Sequence, residues 1–299
     1  MLQGQASAFE LVVPGKWILA GEHSVLRGSE ALVFPLPSRY LKLNYTPGPQ
    51  DLELVLIGQN SAELELIIWS VLERAFTVLG IKRREMTGRV QLESHIALGG
   101  GTGASATLCV TITEWLHRLG YVADKDRFDF ARGLENLFHG ESRGVDVAVT
   151  LFQKPLVFTR NSGFSELRAK ADVNLYLSYS GQRGVTKDCV EQVKTLFEKD
   201  PSAAKAIDEK MAESVRQLKT LLTEGGTLIE WIKVVKKANS CFEDWGLLSE
   251  SVKKHQNALL QAGALAVKLT GSGGGGYVLS LWESKPPGNL PFEMIRCFN

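Results

Sequence analysis

The sequence predicts an α+β fold in two domains. Three observations lead there. Strand-like apolar or alternating runs are mixed with long stretches of helical spacing, and strands open and close the chain. Around residues 161–170 the pattern lapses into polar and small residues, which divides the chain into 1–165 and 166–299. The 299 residues, 44% of them hydrophobic, suffice for two domains with buried cores and show no internal repeat.

Each element follows from its local pattern. "FELVV", "KWILAG" and "EALVFPL" are short apolar runs, broken by Pro14, Gly21 and Gly28, and read as strands. "YLKLNY" and "LELVLI" alternate and fit half-buried strands. Leu64, Ile67, Ile68, Val71, Leu72, Ala75, Phe76 and Leu79 repeat at helical spacing, with Asn60 and Glu63 as a capping box and Gly80 as a stop. "RVQLES" is a further alternating strand. Ala104, Leu108, Ile112, Trp115, Leu116 and Leu119 make the apolar face of a long helix. A second helix fits 128–139, and "PLVFT" a strand. Beyond the boundary "NLYLSYS" alternates, three or four helices follow, and "ALAVKLT" and "YVLSLW" close the chain as strands separated by "GSGGGG".

Composition excludes several functions. The net charge of +1 gives no global attraction to nucleic acid or to an anionic membrane. The clusters at 82–84 and 233–237 read as solvated faces. Cys109, Cys189, Cys241 and Cys297 are scattered, which argues against a zinc site and a disulfide framework. The opening "MLQGQASAFELVV" lacks the layout of a secretion signal, and no run is long enough to span a bilayer. The expectation is a cytoplasmic protein without nucleic-acid or membrane partners.

The chemistry starts at "LGGGTGASATL", where Gly99, Gly100, Gly101, Thr102, Gly103, Ala104 and Ser105 lie between a strand and a helix start. First-turn N–H groups lack intrahelical partners, the helix dipole adds positive charge, and glycine admits an anion closely. Thr102 and Ser105 add hydroxyls for a phosphate or a metal ion. A tight turn with an N-cap is the plain alternative. The segment is not a Walker A loop, because Ala104 and Ser105 stand where Lys and Ser or Thr belong. Residues 271–276 meet G-x-G-x-x-G formally, but a strand follows where a dinucleotide site needs a helix. "GSGGGG" is thus either a hairpin or a second wall of a nucleotide site. Lys16, Glu22 and His23 sit among turn residues, where Lys16 could simply be solvated. Glu135 and His139 share a helix face, and Asp146 interrupts the apolar run "GVDVAV", where it is either a cap or a base or metal ligand. Together these supply what phosphoryl transfer needs: an N–H cradle, a hydroxyl and carboxylate for Mg²⁺, a Lys, and a carboxylate near the acceptor.

"PGKWILAGEHSVLRGSEALVFPL", "LGGGTGASAT" and "KLTGSGGGG" resemble, in order, the three motifs of the galactokinase, homoserine kinase, mevalonate kinase and phosphomevalonate kinase (GHMP) superfamily. "GEHSVL" and "HGESRGVD" most resemble its mevalonate kinase branch. The resemblance implies an N-terminal ribosomal-protein-S5-like domain and a C-terminal ferredoxin-like domain. It implies ATP and Mg²⁺, a small-molecule acceptor such as mevalonate, and leaves a homodimer open. Ser105 and Glu135 match the metal-binding positions, Asp146 the proposed base, and Lys16 the residue that lowers the hydroxyl's pKa. Glu22, His23 and Thr186 match acceptor-lining positions, and Gly271, Ser272, Gly273 and Gly274 the loop that closes over the phosphates. Thr102, Ala104, Arg143 and Val147 depart from the family pattern, the last two beside Asp146. Another acceptor (phosphomevalonate, a sugar or an amino-alcohol) or a non-catalytic nucleotide-binding relative are the competing readings.

Overall fold

The structure, a computed structural model, describes residues 7–57, 61–96, 100–139, 142, 144–160 and 163–298. The chain forms two compact units that interleave along the sequence. One comprises residues 1–15, 37–97 and 103–153; the other comprises 16–36, 98–102 and 154–299. Strands β1 (Phe9–Ala20) and β2 (Glu30–Asp51) pass from one unit to the other.

Both strands are longer than the sequence pattern suggests. β1 continues through Pro14 instead of breaking there. Among the described residues it pairs with β2 alone, so it has an edge on which a missing N–H costs nothing. β2 joins the runs "EALVFPL" and "YLKLNY" into one strand. Its Pro35 and Pro37 fall between two of its pairings, residues 30–33 with one neighbour and 41–51 with another.

In the first unit β3 (Glu53–Ile57) runs parallel to β4 (Thr87–Ser94), which is antiparallel to β2. Helices α1 (Ser61–Leu79) and α2 (Ala104–Arg118) cover this sheet. Ile68, Val71, Leu72 and Phe76 of α1 and Leu108, Ile112, Trp115 and Leu116 of α2 pack with Leu43, Tyr45, Val90 and Leu92. These are the residues whose spacing predicts the helices; the Asn60–Glu63 capping box lies outside the described residues and side chains. Helices α3 (Arg127–His139) and α4 (Val145–Phe152) complete the unit. The apolar run around Asp146 is therefore helical.

In the second unit the first part of β2 pairs with β5 (Leu156–Thr159), and β5 with β6 (Gly163–Glu166). A separate antiparallel sheet has the order β10-β7-β9-β8, formed by β7 (Asn174–Tyr179), β8 (Ala266–Leu269), β9 (Tyr277–Trp282) and β10 (Ile295–Arg296). Four helices follow β7: α5 (Thr186–Lys199), α6 (Pro201–Glu224), α7 (Leu228–Asp244) and α8 (Glu250–Gln261). Met211, Val215, Leu218, Trp231, Val235, Phe242, Val252 and Leu259 pack them against Leu175, Leu177, Leu269 and Val278. The helix starts are well specified. Pro201 follows an Asp200 that accepts the Ala203 N–H, and Thr227 and Glu230 form a capping box. The mixture of helices with two antiparallel or mixed sheets is the α+β class expected. The four cysteines are free and buried.

Candidate active site

In the first unit the three helices that carry Ser105, Glu135 and Asp146 share one packed apolar cluster. Gly103 precedes α2 in the left-handed region, φ 78°, and as the cap residue it has no side chain to bond the first-turn N–H groups. Such a helix head presents its orphan N–H groups and the positive end of its dipole. Ala106 and Val110 of α2, Ala131 of α3 and Val147 of α4 share one buried apolar cluster with Val13. Ser105 precedes Ala106, Glu135 lies one helical turn beyond Ala131, and Asp146 precedes Val147. The packing of that cluster thus gathers the starts of α2 and α4 and the middle of α3. Val147 is fully buried in it, so this departure from the family pattern is explained by helix packing. Arg143 lies outside the described residues.

Glu135 is 3% exposed and accepts a hydrogen bond from the Ser142 hydroxyl. The Ser142 N–H donates to Asn136 Oδ1 at 2.7 Å, and the Ser142 hydroxyl in turn accepts the Gly144 N–H at 3.1 Å. This small network ties the end of α3 to the start of α4. Gly144 caps α4 as Gly103 caps α2, in the left-handed region and with no side-chain cap. Asp146 sits half-buried in the first turn of α4, where the dipole favours its negative charge. Burial, with Glu135 nearby, pushes the Cys109 thiol well above its ordinary value and leaves it a neutral core residue. The side chain of His139 is not among those described.

In the second unit the backbone of 100–102 is stitched between strands and glycine loops. The Lys16 N–H donates to the Thr102 carbonyl at 2.9 Å. Lys16 is a strand residue only 3% exposed, so it is not the solvated turn lysine that "PGK" allows. Thr102 is buried, and its hydroxyl has no hydrogen-bond partner among the described residues. The Thr270 hydroxyl donates to the Ile18 carbonyl at 2.7 Å. "GSGGGG" joins β8 to β9, which pair as antiparallel neighbours, and it also lies against 100–101: a Cβ on Gly276 would stand 2.7 Å from the Gly100 carbonyl oxygen. The hairpin reading therefore holds, and the same segment stands beside the glycines that precede α2. Gly101, Gly184, Thr186, Thr270, Ser272 and Gly275 line a cavity there, with the Thr186 and Ser272 hydroxyl oxygens 3.1 Å apart. Gly271, Gly273 and Gly274 belong to the same loop; Gly99 lies outside the described residues.

His23 touches the loop that lines this cavity, and Glu22 precedes it in the chain. His23 Nε2 donates to the Ser272 carbonyl at 2.7 Å, so the proton sits on Nε2. The ring stands 5.1 Å from that of Trp245. Burial pulls the His23 pKa down to about 4, with the Ser272 hydrogen bond opposing and Arg27 adding to the fall, so the imidazole is neutral at physiological pH. His23 also takes a φ of 57°, a strained position for a residue with a side chain. Glu22 is 3% exposed and pairs with the wholly buried Lys268, Nζ to Oε1 2.5 Å. The turn they begin, Ser24–Arg27, is anchored by Arg27, whose guanidinium forks onto Asp208 and lies 4.2 Å from the centre of the Phe197 ring. Lys268, Asp208 and Arg27 are absent from the sequence-based site. A charged residue in the apolar run "ALAVKLT" is the signal that marks Lys268, the same signal that marks Asp146.

Two protein-family models match the chain: the GHMP kinase N-terminal domain over residues 67–154 and the GHMP kinase C-terminal domain over 203–290, together more than half of it. The chain belongs to the GHMP kinase family. It is similar to the mevalonate kinase of Aeropyrum pernix, 28% identical across 90% of this chain and 87% of the relative. Its fold is similar to that of L. major mevalonate kinase in complex with R-mevalonate, with a TM-score of 0.80 at 22% identity over 95% of this chain and 91% of that one. It is likewise similar to Methanococcus jannaschii mevalonate kinase, with a TM-score of 0.78 at 17% identity over 99% and 100% of the two chains. GHMP kinases use ATP, and the two-domain α+β fold expected from the three motifs is the fold observed.

Proposed function

We propose that this chain is a mevalonate kinase, transferring the γ-phosphoryl group of ATP to the primary hydroxyl of mevalonate. The observation that carries the reading is the head of α2: a left-handed glycine cap without a side chain, followed by Ser105 and packed against the helices that bear Glu135 and Asp146. Relatives across nearly the whole chain, named mevalonate kinases, favour this acceptor over others in the family.

Each residue has a physical role. The N–H groups around Gly99–Ala104, supported by residues 271–274, hold the triphosphate through backbone donors and the helix dipole. Ser105 and Glu135 are hard oxygen donors, a hydroxyl and a buried carboxylate, which suit Mg²⁺ held jointly with phosphate oxygens. When bound, that ion supplies neutralisation of phosphate charge. Asp146 takes the proton of the acceptor hydroxyl. Lys16 lowers that hydroxyl's pKa and offsets negative charge in the transition state. Glu22, His23 and Thr186 orient the acceptor, with neutral His23 offering no charge of its own. In this reading residues 1–165 carry the proton and metal chemistry, and 166–299 supply Thr186 and the covering glycine loop. The protein works in the cytoplasm on a small molecule.

A coupled ADP-release assay with MgATP and a panel of acceptors tests the proposal. Mevalonate should give turnover in the ordinary enzymic range, roughly 1–100 s⁻¹. Faster turnover of phosphomevalonate, a sugar or an amino-alcohol would transfer the chemistry to that acceptor. Nucleotide binding without turnover of any acceptor would make the chain a non-catalytic relative.

A further inference from the structure

Lys268 occupies an inward position of β8, between buried Val267 and Leu269, and is itself 0% exposed. Its Nζ lies 2.5 Å from Glu22 Oε1, 2.7 Å from the Leu269 carbonyl oxygen and 4.9 Å from the centre of the Phe242 ring. A carboxylate, a carbonyl and an aromatic face all favour an ammonium ion, since each accepts and none donates. The strand carrying Lys268 is fixed in turn: Asn239 Oδ1 accepts the Leu269 N–H at 3.1 Å and Gln256 Nε2–H at 2.9 Å. The other carboxylate oxygen, Glu22 Oε2, is buried and has no hydrogen-bond partner among the described residues. A buried carboxylate with one oxygen unsatisfied is costly unless that oxygen meets a donor during function.

We propose that Lys268 is a positioning residue for the phosphoryl acceptor: its ammonium holds the Glu22 carboxylate ionised and oriented, leaving Oε2 to accept the hydrogen bond of an acceptor hydroxyl. This rests on the assignment of Glu22 to the acceptor site. Burial pushes the Glu22 carboxyl up and the Lys268 amine down, and each is the chief influence pulling the other back. The other groups facing the pair act in lesser ways. Lys16 on β1 adds attraction. Cys241 on α7, its thiol pushed up to about 12 by burial, stays neutral. His23 beside Glu22 is neutral at physiological pH, and Arg27 one turn on is engaged by Asp208.

The test uses the full chain with (R)-mevalonate and MgATP. In Lys268→Met the KM for mevalonate should rise at least tenfold at pH 7, with the KM for ATP within twofold of wild type. The loss should lessen as pH rises, because Glu22 without its partner keeps the burial that raises its pKa and lacks the chief influence that lowers it. Lys268→Met strands a buried carboxyl, so Glu22→Gln/Lys268→Met, with no charge to strand, provides the second arm: its mevalonate KM should match that of Glu22→Gln alone. A mevalonate KM within twofold of wild type in Lys268→Met, or tenfold above Glu22→Gln in the double variant, overturns the proposal. An acceptor-independent readout separates it from the assignment of function. The ¹³Cδ resonance of Glu22, identified by its loss in Glu22→Gln, should be that of a carboxylate at pH 7 in the wild type and of a carboxylic acid in Lys268→Met. A protonated Glu22 in the wild type, or the same shift in both proteins, overturns the role of Lys268 whether or not mevalonate is turned over.

Discussion

His23 combines a positive φ, near-complete burial and a depressed pKa at one position. Its folded pKa, about 4, is below the unfolded value of 6.5, so the unfolded chain binds more protons between these values. The contribution to stability is therefore present above pH 6.5 and lost as pH falls towards 4. By linkage the loss is on the order of 3 kcal/mol. Denaturant titrations at pH 7 and pH 4.5 should show His23→Gln losing less stability than wild type on acidification, by roughly that amount; equal losses would place the titration elsewhere. Asp146→Asn tests the proton acceptor. It should lower kcat by roughly 10²–10⁴ with the KM for ATP little changed, because the interaction acts on the transferring proton. At this scale the readable signal is a charge that interrupts an apolar run, as Asp146 does in "GVDVAV". Lys268 shows the same interruption, yet its partner Glu22 is 246 positions away, and no local pattern joins them. Lys16 was ambiguous for a related reason: Pro14-Gly15 suggests a turn, and only the pairing of β1 with β2 makes it a buried strand residue.

The elements that frame the site depend on backbone approach. At Gly276, φ 92°, a Cβ would stand 2.7 Å from the Gly100 carbonyl oxygen. A backbone carbonyl cannot swing aside as a long side chain can. Gly276→Ala should therefore cost about 2 kcal/mol or more and raise the KM for ATP, since it displaces the peptide that leads into α2. Gly288→Ala, where an added Cβ meets nothing within 4 Å, is the control and should stay within about 0.5 kcal/mol of wild type. Thermal melts and ATP titration of the two variants measure both effects; equal behaviour would mean that the close approach carries no energy. Helices were the most legible elements, because faces such as Leu108, Ile112, Trp115 and Leu116 repeat over several turns. Strands were less so. β6 and β10, of four and two residues, are too short for alternation to register, and β2 hides its continuity behind two prolines. The four-turn rhythm of a helix survives a local irregularity, whereas a strand's pairing partner lies elsewhere in the chain.

At the scale of the molecule the sequence motifs are far apart, near residues 16, 103 and 273: the first lies within β1, the second heads α2 and the third joins β8 to β9. Their order and spacing made the family legible, while the interleaving of the two units was not, because a linear boundary near residue 165 reflects composition and not which strands pair. The central claim is that this assembly directs a phosphoryl group from ATP to the hydroxyl of mevalonate. ³¹P NMR of the wild-type chain with MgATP and mevalonate tests it most directly. The account predicts a phosphomonoester resonance growing in step with ADP, one for one. ADP accompanied by inorganic phosphate alone, or an unchanged ATP spectrum, would contradict it.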